Sequence, residues 1–177
     1  PYNHGGRTRA MIIDAFNSKT LFAASVGGGL FVSYTGGNYW ERVEEIAEYL
    51  TTAAICQDVD GHIYVGTGED MYHFSGEGSG GLVGNGVYKG TRAVDGTYTW
   101  SHLEATTITS TSALQNGSDE WSSVNEIVAH PTKGGYVYAA TNGGIYMTTD
   151  GGESWDRTST TAAKIQDITI GADTNGN

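Results

Sequence analysis

The 177-residue chain is short of cysteine, proline and positive charge, with one Cys, two Pro and nine Lys plus Arg. A lone Cys56 excludes an internal disulfide framework and a zinc centre built on cysteine pairs. Twenty acidic residues against nine basic ones leave a net charge of −11 with no basic patch, which argues against a nucleic-acid partner because phosphate would be repelled. The longest apolar runs, such as 21–25, are about five residues against the ~20 that span a bilayer, so no helical membrane insertion is expected. The histidines His4, His62, His73, His102 and His130 are scattered without metal-ligand spacing, so no metal is expected.

What is present is glycine, 27 residues of it, and an internal repeat. The runs 21–25 (LFAAS), 63–67 (IYVGT) and 137–141 (VYAAT) share an apolar–aromatic pair, two small or branched residues and a hydroxyl. Each precedes a glycine and a second short run at 29–33, 86–89 and 144–148, then a glycine-bearing turn and Trp40, Trp100 or Trp155. Another apolar run lies upstream of each, at 10–13, 53–56 and 125–129. Alternation, β-branched and aromatic enrichment and Gly/Asn/Asp punctuation read as strands. Only 41–50 has helical spacing, through Val43, Ile46, Ala47 and Leu50, and is read as a last strand running into a turn of helix.

Four strands per unit of roughly 40–60 residues predict an all-β chain: a β-propeller of four-stranded antiparallel blades. Blade 1 is placed at about 9–43, blade 2 at 52–103 with an insertion at 68–85, blade 3 at 123–158, and the start of a fourth at 165–177. A second insertion, Thr/Ser-rich, spans 104–121. Because the fourth unit stops short and Pro1 follows no start methionine or signal pattern, the sequence is expected to be an incomplete portion of a larger propeller. The remaining blades of the same chain, or adjacent subunits, are its expected partners.

Thr148, Asp150, Gly152 and Trp155 fit the Asp-box pattern S/T-x-D-x-G-x-x-W, in which the aspartate accepts backbone N–H bonds in a tight turn. Ser33, Gly37 and Trp40 form a degenerate copy with Thr35 in place of the aspartate, and the second unit keeps Trp100 after a longer turn through Asp95-Gly96. With these boxes, the opening 5–10 (GGRTRA), 66–69 (GTGE) and 84–89 (GNGVYK), the chain resembles sortilin-like BNR/Asp-box repeat propellers over essentially its whole length. That resemblance implies a many-bladed, secreted or cell-surface bacterial protein with a binding or adhesive role; related repeats occur in sialidases, other glycosidases and phage virion proteins.

The candidate acids are few. Asp14 ends a first strand, Glu69 and Asp70 open the insertion, and Glu126 lies in a first strand; two carboxylates about 6.5–9.5 Å apart across a cleft would suit an inverting glycosidase. The competing reading is that such acids cap turns or sit in solvent. Arg7, Arg9, Arg42, Arg92 and Arg157 are too dispersed to suggest a sialidase, and Arg42 and Arg157 each follow a motif tryptophan by two. Asp58-x-Asp60-Gly61 and Asp173-x-Asn175-Gly176 resemble half a calcium loop but lack the distal glutamate, so a hairpin turn is favoured and structural calcium is the one cofactor alternative. Cys56 reads as a small core residue. Glu69, Asp70, Tyr72, His73 and Phe74 form a candidate binding loop.

The expected function is a non-catalytic, secreted or surface-displayed module binding protein or polysaccharide. The alternatives are an Asp-box glycoside hydrolase whose second carboxylate lies outside this stretch, and a virion or appendage structural protein.

Overall fold

The computed structural model of the chain describes residues 7–46, 48, 51–70, 82–116, 118–158 and 163–171. The strands β1 (Arg7–Ile13), β2 (Leu21–Val26), β3 (Gly29–Ser33) and β4 (Glu41–Arg42) form one antiparallel meander. A second comprises β5 (Thr52–Gln57), β6 (Ile63–Thr67), β7 (Val87–Arg92) and β8 (Tyr98–His102). The third comprises β9 (Val124–Ala129), β10 (Val137–Thr141), β11 (Gly144–Thr148) and β12 (Asp156–Arg157). The first strands β1, β5 and β9 lie beside one another, so the sheets stack in chain order as consecutive blades.

The period-2 alternation of side chains explains how the sheets stack. In β6, Ile63 and Val65 face the first sheet while Tyr64 faces the third, and all three are fully buried. One core therefore sets Phe22, Ala24, Leu30 and Val32 of the first sheet against Ile55, Ile63, Val65, Tyr88 and Trp100 of the second. The other sets Ala54, Tyr64, Val87 and Leu103 against Ile127, Val137, Ala139 and Tyr146. Each fully buried large side chain contributes roughly 1.5–3 kcal/mol.

The three sheets share one register. The pairs Ile13–Leu21, Gln57–Ile63 and Ala129–Val137 close the first hairpin of each. Counting back from them, each first strand carries a bulge at the same place, on Arg9, Ala53 and Asn125. The sheets thus have two distinct ends. At the hairpin end lie the β1–β2 type turns and the glycine turns before each tryptophan. At the insertion end lie the starts of the first strands and both long insertions.

The insertions meet. Gly84 and Gly86 N–H donate to the Ser122 and Trp121 carbonyls, and Ile108 N–H donates to Asn85 Oδ1 at 2.7 Å. Within the second insertion a 3-10 turn (Glu104–Thr106) precedes a six-residue helix α1 (Thr111–Asn116), which the Thr/Ser-rich sequence does not announce. After β4 the chain makes a 3-10 turn (Glu44–Ile46); Ala47, Tyr49 and Leu50, like His4, Gly5, Gly6, residues 71–81 with Tyr72, His73 and Phe74, and residues 172–177, where the sequence predicts a turn, lie outside the described residues. Residues 163–171 pair with no strand but lie along the third sheet, where Ile165 N–H donates to the Thr141 carbonyl.

Candidate functional site at the insertion end

Bulges re-aim side chains, and the two polar ones do so here. Arg9 on the β1 bulge and Asn125 on the β9 bulge converge on the segment that leaves β6. Glu69, only 2% exposed, accepts from Arg7 through Oε2 and from Arg9 through Oε1 at 2.7 Å. Arg9 also donates to the Asn125 carbonyl at 3.3 Å. Asp70 N–H donates to Asn125 Oδ1, Asn125 Nδ2 donates to the Ile165 carbonyl, and Lys164 pairs with Asp70 Oδ2 at 2.9 Å. One polar knot thus ties the first, second and third sheets and the 163–171 segment around the mouth of the inner strands. A reciprocal backbone pair between Glu69 and Leu82 closes the neck of the insertion above it.

Glu126 neighbours the knot. Burial is the main force raising its carboxyl above the usual value, and the nearby Asp167 charge adds to it against the Ile127 amide and Arg9. Its carboxyl is thereby biased toward the protonated form.

Asp14 lies at the opposite, hairpin end. Its Oδ1 accepts the Phe16 amide and Gln57 Nε2, and its Oδ2 accepts Tyr98 Oη at 3.0 Å with Arg92 at 3.6 Å. Burial pushes this carboxyl up, but the bonds from Gln57, Phe16 and Tyr98 and the Arg92 charge outweigh it and hold it below its usual value. Asp14 is therefore separated from Glu69 and Asp70 by the length of the strands.

Asp58 occupies the same register as Asp14. Its carboxylate accepts the Asp60, His62 and Gly135 amides and Tyr64 Oη. A carboxylate ringed by N–H and O–H donors has no lone pair directed at a cation, so these residues form a turn that also reaches the next sheet and do not fit calcium. Among the described residues no cluster of three His, Cys, Asp or Glu side chains is arranged to hold a metal. Cys56 packs against the second core, and burial pushes its thiol up, away from nucleophilic use.

The turns before Trp155 and Trp40 are bonded alike. Thr148 Oγ1 accepts Gly152 N–H at 2.9 Å and Asp150 Oδ1 accepts Ser154 N–H at 3.0 Å. Ser33 Oγ accepts Gly37 N–H at 3.0 Å and Thr35 Oγ1 accepts Tyr39 N–H at 2.9 Å. Each turn then docks on its own sheet's first hairpin, Gly151 N–H on the Gly135 carbonyl and Gly36 N–H on the Lys19 carbonyl. Trp155 meets Trp121 edge-on at 5.4 Å, and Trp40 Nε1 donates to the Gly37 carbonyl. The arginines do not gather: Arg7 and Arg9 serve Glu69, Arg92 lies over Phe16 beside Asp14, and Arg42 pairs with Glu44.

The sequence points to Glu69, Asp70 and Glu126 but not to the partners Asn125 and Lys164, and it offers Arg7 and Arg9 as dispersed cations and as part of the opening 5–10 motif. Arg7 and Arg9, two apart on a strand, were the available signal, but their partner lies about 60 residues on.

No protein-family model and no curated protein sequence matches the chain. Solved structures do. An ancestral GH74 enzyme shares 21% identity with a TM-score of 0.58, over 85% of this chain and 18% of its own. The GH74 xyloglucanase from Xanthomonas campestris shares 18% with a TM-score of 0.59, over 82% and 20%. The Niastella koreensis GH74 enzyme shares 17% with a TM-score of 0.56, over 88% and 23%. The chain spans about a fifth of the length of these proteins. The likeness is one of fold: three stacked four-stranded meanders that form part of a β-propeller.

Proposed function

We propose that the chain belongs to a secreted or surface-displayed propeller that binds polysaccharide without cleaving it. The observation that carries this reading is the state of the candidate acids: Glu69, Asp70 and Asp14 are each engaged by arginine, lysine, backbone or side-chain donors of the protein itself. A general acid or base needs an oxygen directed at substrate, and these acids hold other parts of the chain. Polysaccharide is preferred over protein as ligand because the solved structures of like fold include a xyloglucanase. The insertion end, where both insertions meet, is the surface assigned to the ligand. The test is to incubate the protein with xyloglucan and follow both retention by sedimentation or calorimetry and release of reducing ends. Binding without release supports the reading, and release contradicts it.

A second reading, glycoside hydrolysis, is favoured by Glu126, whose raised carboxyl beside Asp167 suits a proton donor. If it holds, release of reducing ends is lost in Glu126→Gln while xyloglucan is still bound.

A further inference from the structure

The first hairpins of the three sheets enclose a pocket of about 360 Å³ at the hairpin end, a volume in the range of small-ligand sites. Its walls include Phe16 from the β1–β2 turn, Val59 from the β5–β6 turn and Pro131 from the β9–β10 turn. Turn positions are ordinarily polar, yet Phe16 is 53% exposed and Val59 41%. The polar part of the lining is Gln57, Asp58 and His130. Two of these are spent on the protein. The Asp58 carboxylate already accepts four donors, and Gln57 accepts Ala15 N–H while donating to Asp14 Oδ1 and the Gly61 carbonyl.

His130 is the exception. It holds the register position of Asp14 and Asp58, one residue past the pair that closes each first hairpin. All three accept the amide two residues on: Phe16 and Asp60 N–H on a carboxylate oxygen, Thr132 N–H on His130 Nδ1 at 3.2 Å. The second oxygen of each aspartate then reaches the next sheet, whereas His130 Nε2 bonds no group among the described residues. Nor is it one of their sealed, unbonded polar atoms, so in a residue only 7% exposed this nitrogen opens on the void it lines. With Nδ1 accepting, the neutral ring carries its proton on Nε2, which leaves no lone pair there for a metal. The pocket thus combines apolar walls with one free donor.

We propose that this pocket binds a neutral aromatic ring bearing one hydrogen-bond acceptor, an aryl ketone in its simplest form. The ring lies among Phe16, Val59 and Pro131, and its oxygen accepts from His130 Nε2. Charge disfavours ionic ligands. Asp58 in the lining and Asp14 two residues before Phe16 repel an anion, while the four donors on Asp58 leave a cation no oxygen. The nearby cation, Arg92, is turned to the chain itself, lying over Phe16 and beside Asp14. A sugar ring is the poorer fit, because its hydroxyls need acceptors and those of Asp58 are taken. The pocket lies at the opposite end of the sheets from the surface assigned to polysaccharide and does not rest on that reading.

The test titrates the full chain, carrying isotope-labelled histidine, with acetophenone and follows the His130 ring nitrogens by NMR. The expected result is a shifted Nε2 resonance with a Kd of about 1 mM. Toluene, a ring without the acceptor, binds about fivefold or more weakly because it leaves the buried donor unpaired. Phe16→Ala removes a wall and Val59→Trp fills the pocket. Both sit at exposed turn positions, so each weakens acetophenone about fivefold or more with Tm unchanged. An Nε2 resonance that acetophenone leaves in place, or moves equally in Val59→Trp, overturns the proposal. Toluene binding as tightly as acetophenone removes His130 from the site and overturns it too. Methyl xyloside moving the resonance at lower concentration than acetophenone assigns the pocket to sugar and overturns it equally.

Discussion

The two ends of the sheets are built on different principles. At the hairpin end most bonds are local: Asp150 reaches Ser154, Ser33 reaches Gly37 and Asp58 reaches His62, each four residues along the chain. At the insertion end the knot around Glu69 is built from distant bonds: Arg7 and Glu69 are 62 residues apart, Asp70 and Asn125 55, and Asn125 and Ile165 40. The short turn bonds of the hairpin end make each blade; the knot of the insertion end fastens blades to one another. Asp14 and Asp58 combine both tasks: each holds its own turn through Oδ1 and reaches the next sheet through Oδ2, and Asp14 Oδ1 also accepts Gln57 Nε2 of the second sheet.

Two glycines test how far a turn depends on what lies behind it. Gly152 and Gly37 hold equivalent positions at φ +101° and +88°. A Cβ on Gly152 would meet Leu103 Cδ1 at 2.4 Å, whereas one on Gly37 meets nothing within 4 Å. Gly152→Ala should cost roughly 3 kcal/mol, combining left-handed strain with overpacking of the buried Leu103, and Gly37→Ala about 1 kcal/mol. Chemical denaturation of the two variants measures the difference; equal costs would mean that the third sheet's turn is not packed against the second core.

The carboxylate and the hydroxyl that share one role give the next contrast. Asp150→Ala removes the acceptor for the Ser154 amide and hydroxyl and should cost about 1 kcal/mol at this exposed position. Thr35→Asp installs the stronger acceptor for the Tyr39 amide and should stabilise by about 0.5 kcal/mol. A destabilising Thr35→Asp would show that the first turn is fitted to its hydroxyl.

The smallest effect is in acid. Bonds from the Ser154 and Thr148 hydroxyls hold the Asp150 carboxyl below its usual value. A depressed native pKa stabilises the fold above the unfolded value of about 3.9, and that contribution is lost as pH falls below it. The stability gap between the parent protein and Asp150→Asn should stay constant above about pH 5 and narrow toward pH 2. A gap that does not narrow would detach Asp150 from the turn's stability.

This division also decides what the sequence made legible. The hairpin end is written in short stretches, so the strand runs, the motif 148–155 and its copy at 33–40 are readable from spacing alone. The stacking faces follow from alternation once the sheets are known, as Ile63, Tyr64 and Val65 show. The knot around Glu69 was not readable, because no local pattern pairs Arg9 with a glutamate 60 residues away or directs a bulged Asn125 to Asp70. Asp58 looked like half a metal loop because calcium loops and tight turns share D-x-D-G, and the Gly135 amide that also reaches its carboxylate, 77 residues on, leaves no local signal.

The most direct test of whether the acids of the insertion end fasten the fold is the unfolding temperature of Glu69→Gln. Active-site carboxylates are commonly held at a cost to stability, so neutralising one tends to raise Tm. A buried carboxylate that clasps two arginines has the opposite sign, because neutralising it weakens two charge-assisted bonds that join the first sheet to the second. The expected result is a loss of roughly 2 kcal/mol, lowering Tm by about 4–8 °C. An unchanged or raised Tm would contradict the account and return Glu69 to the candidates for catalysis.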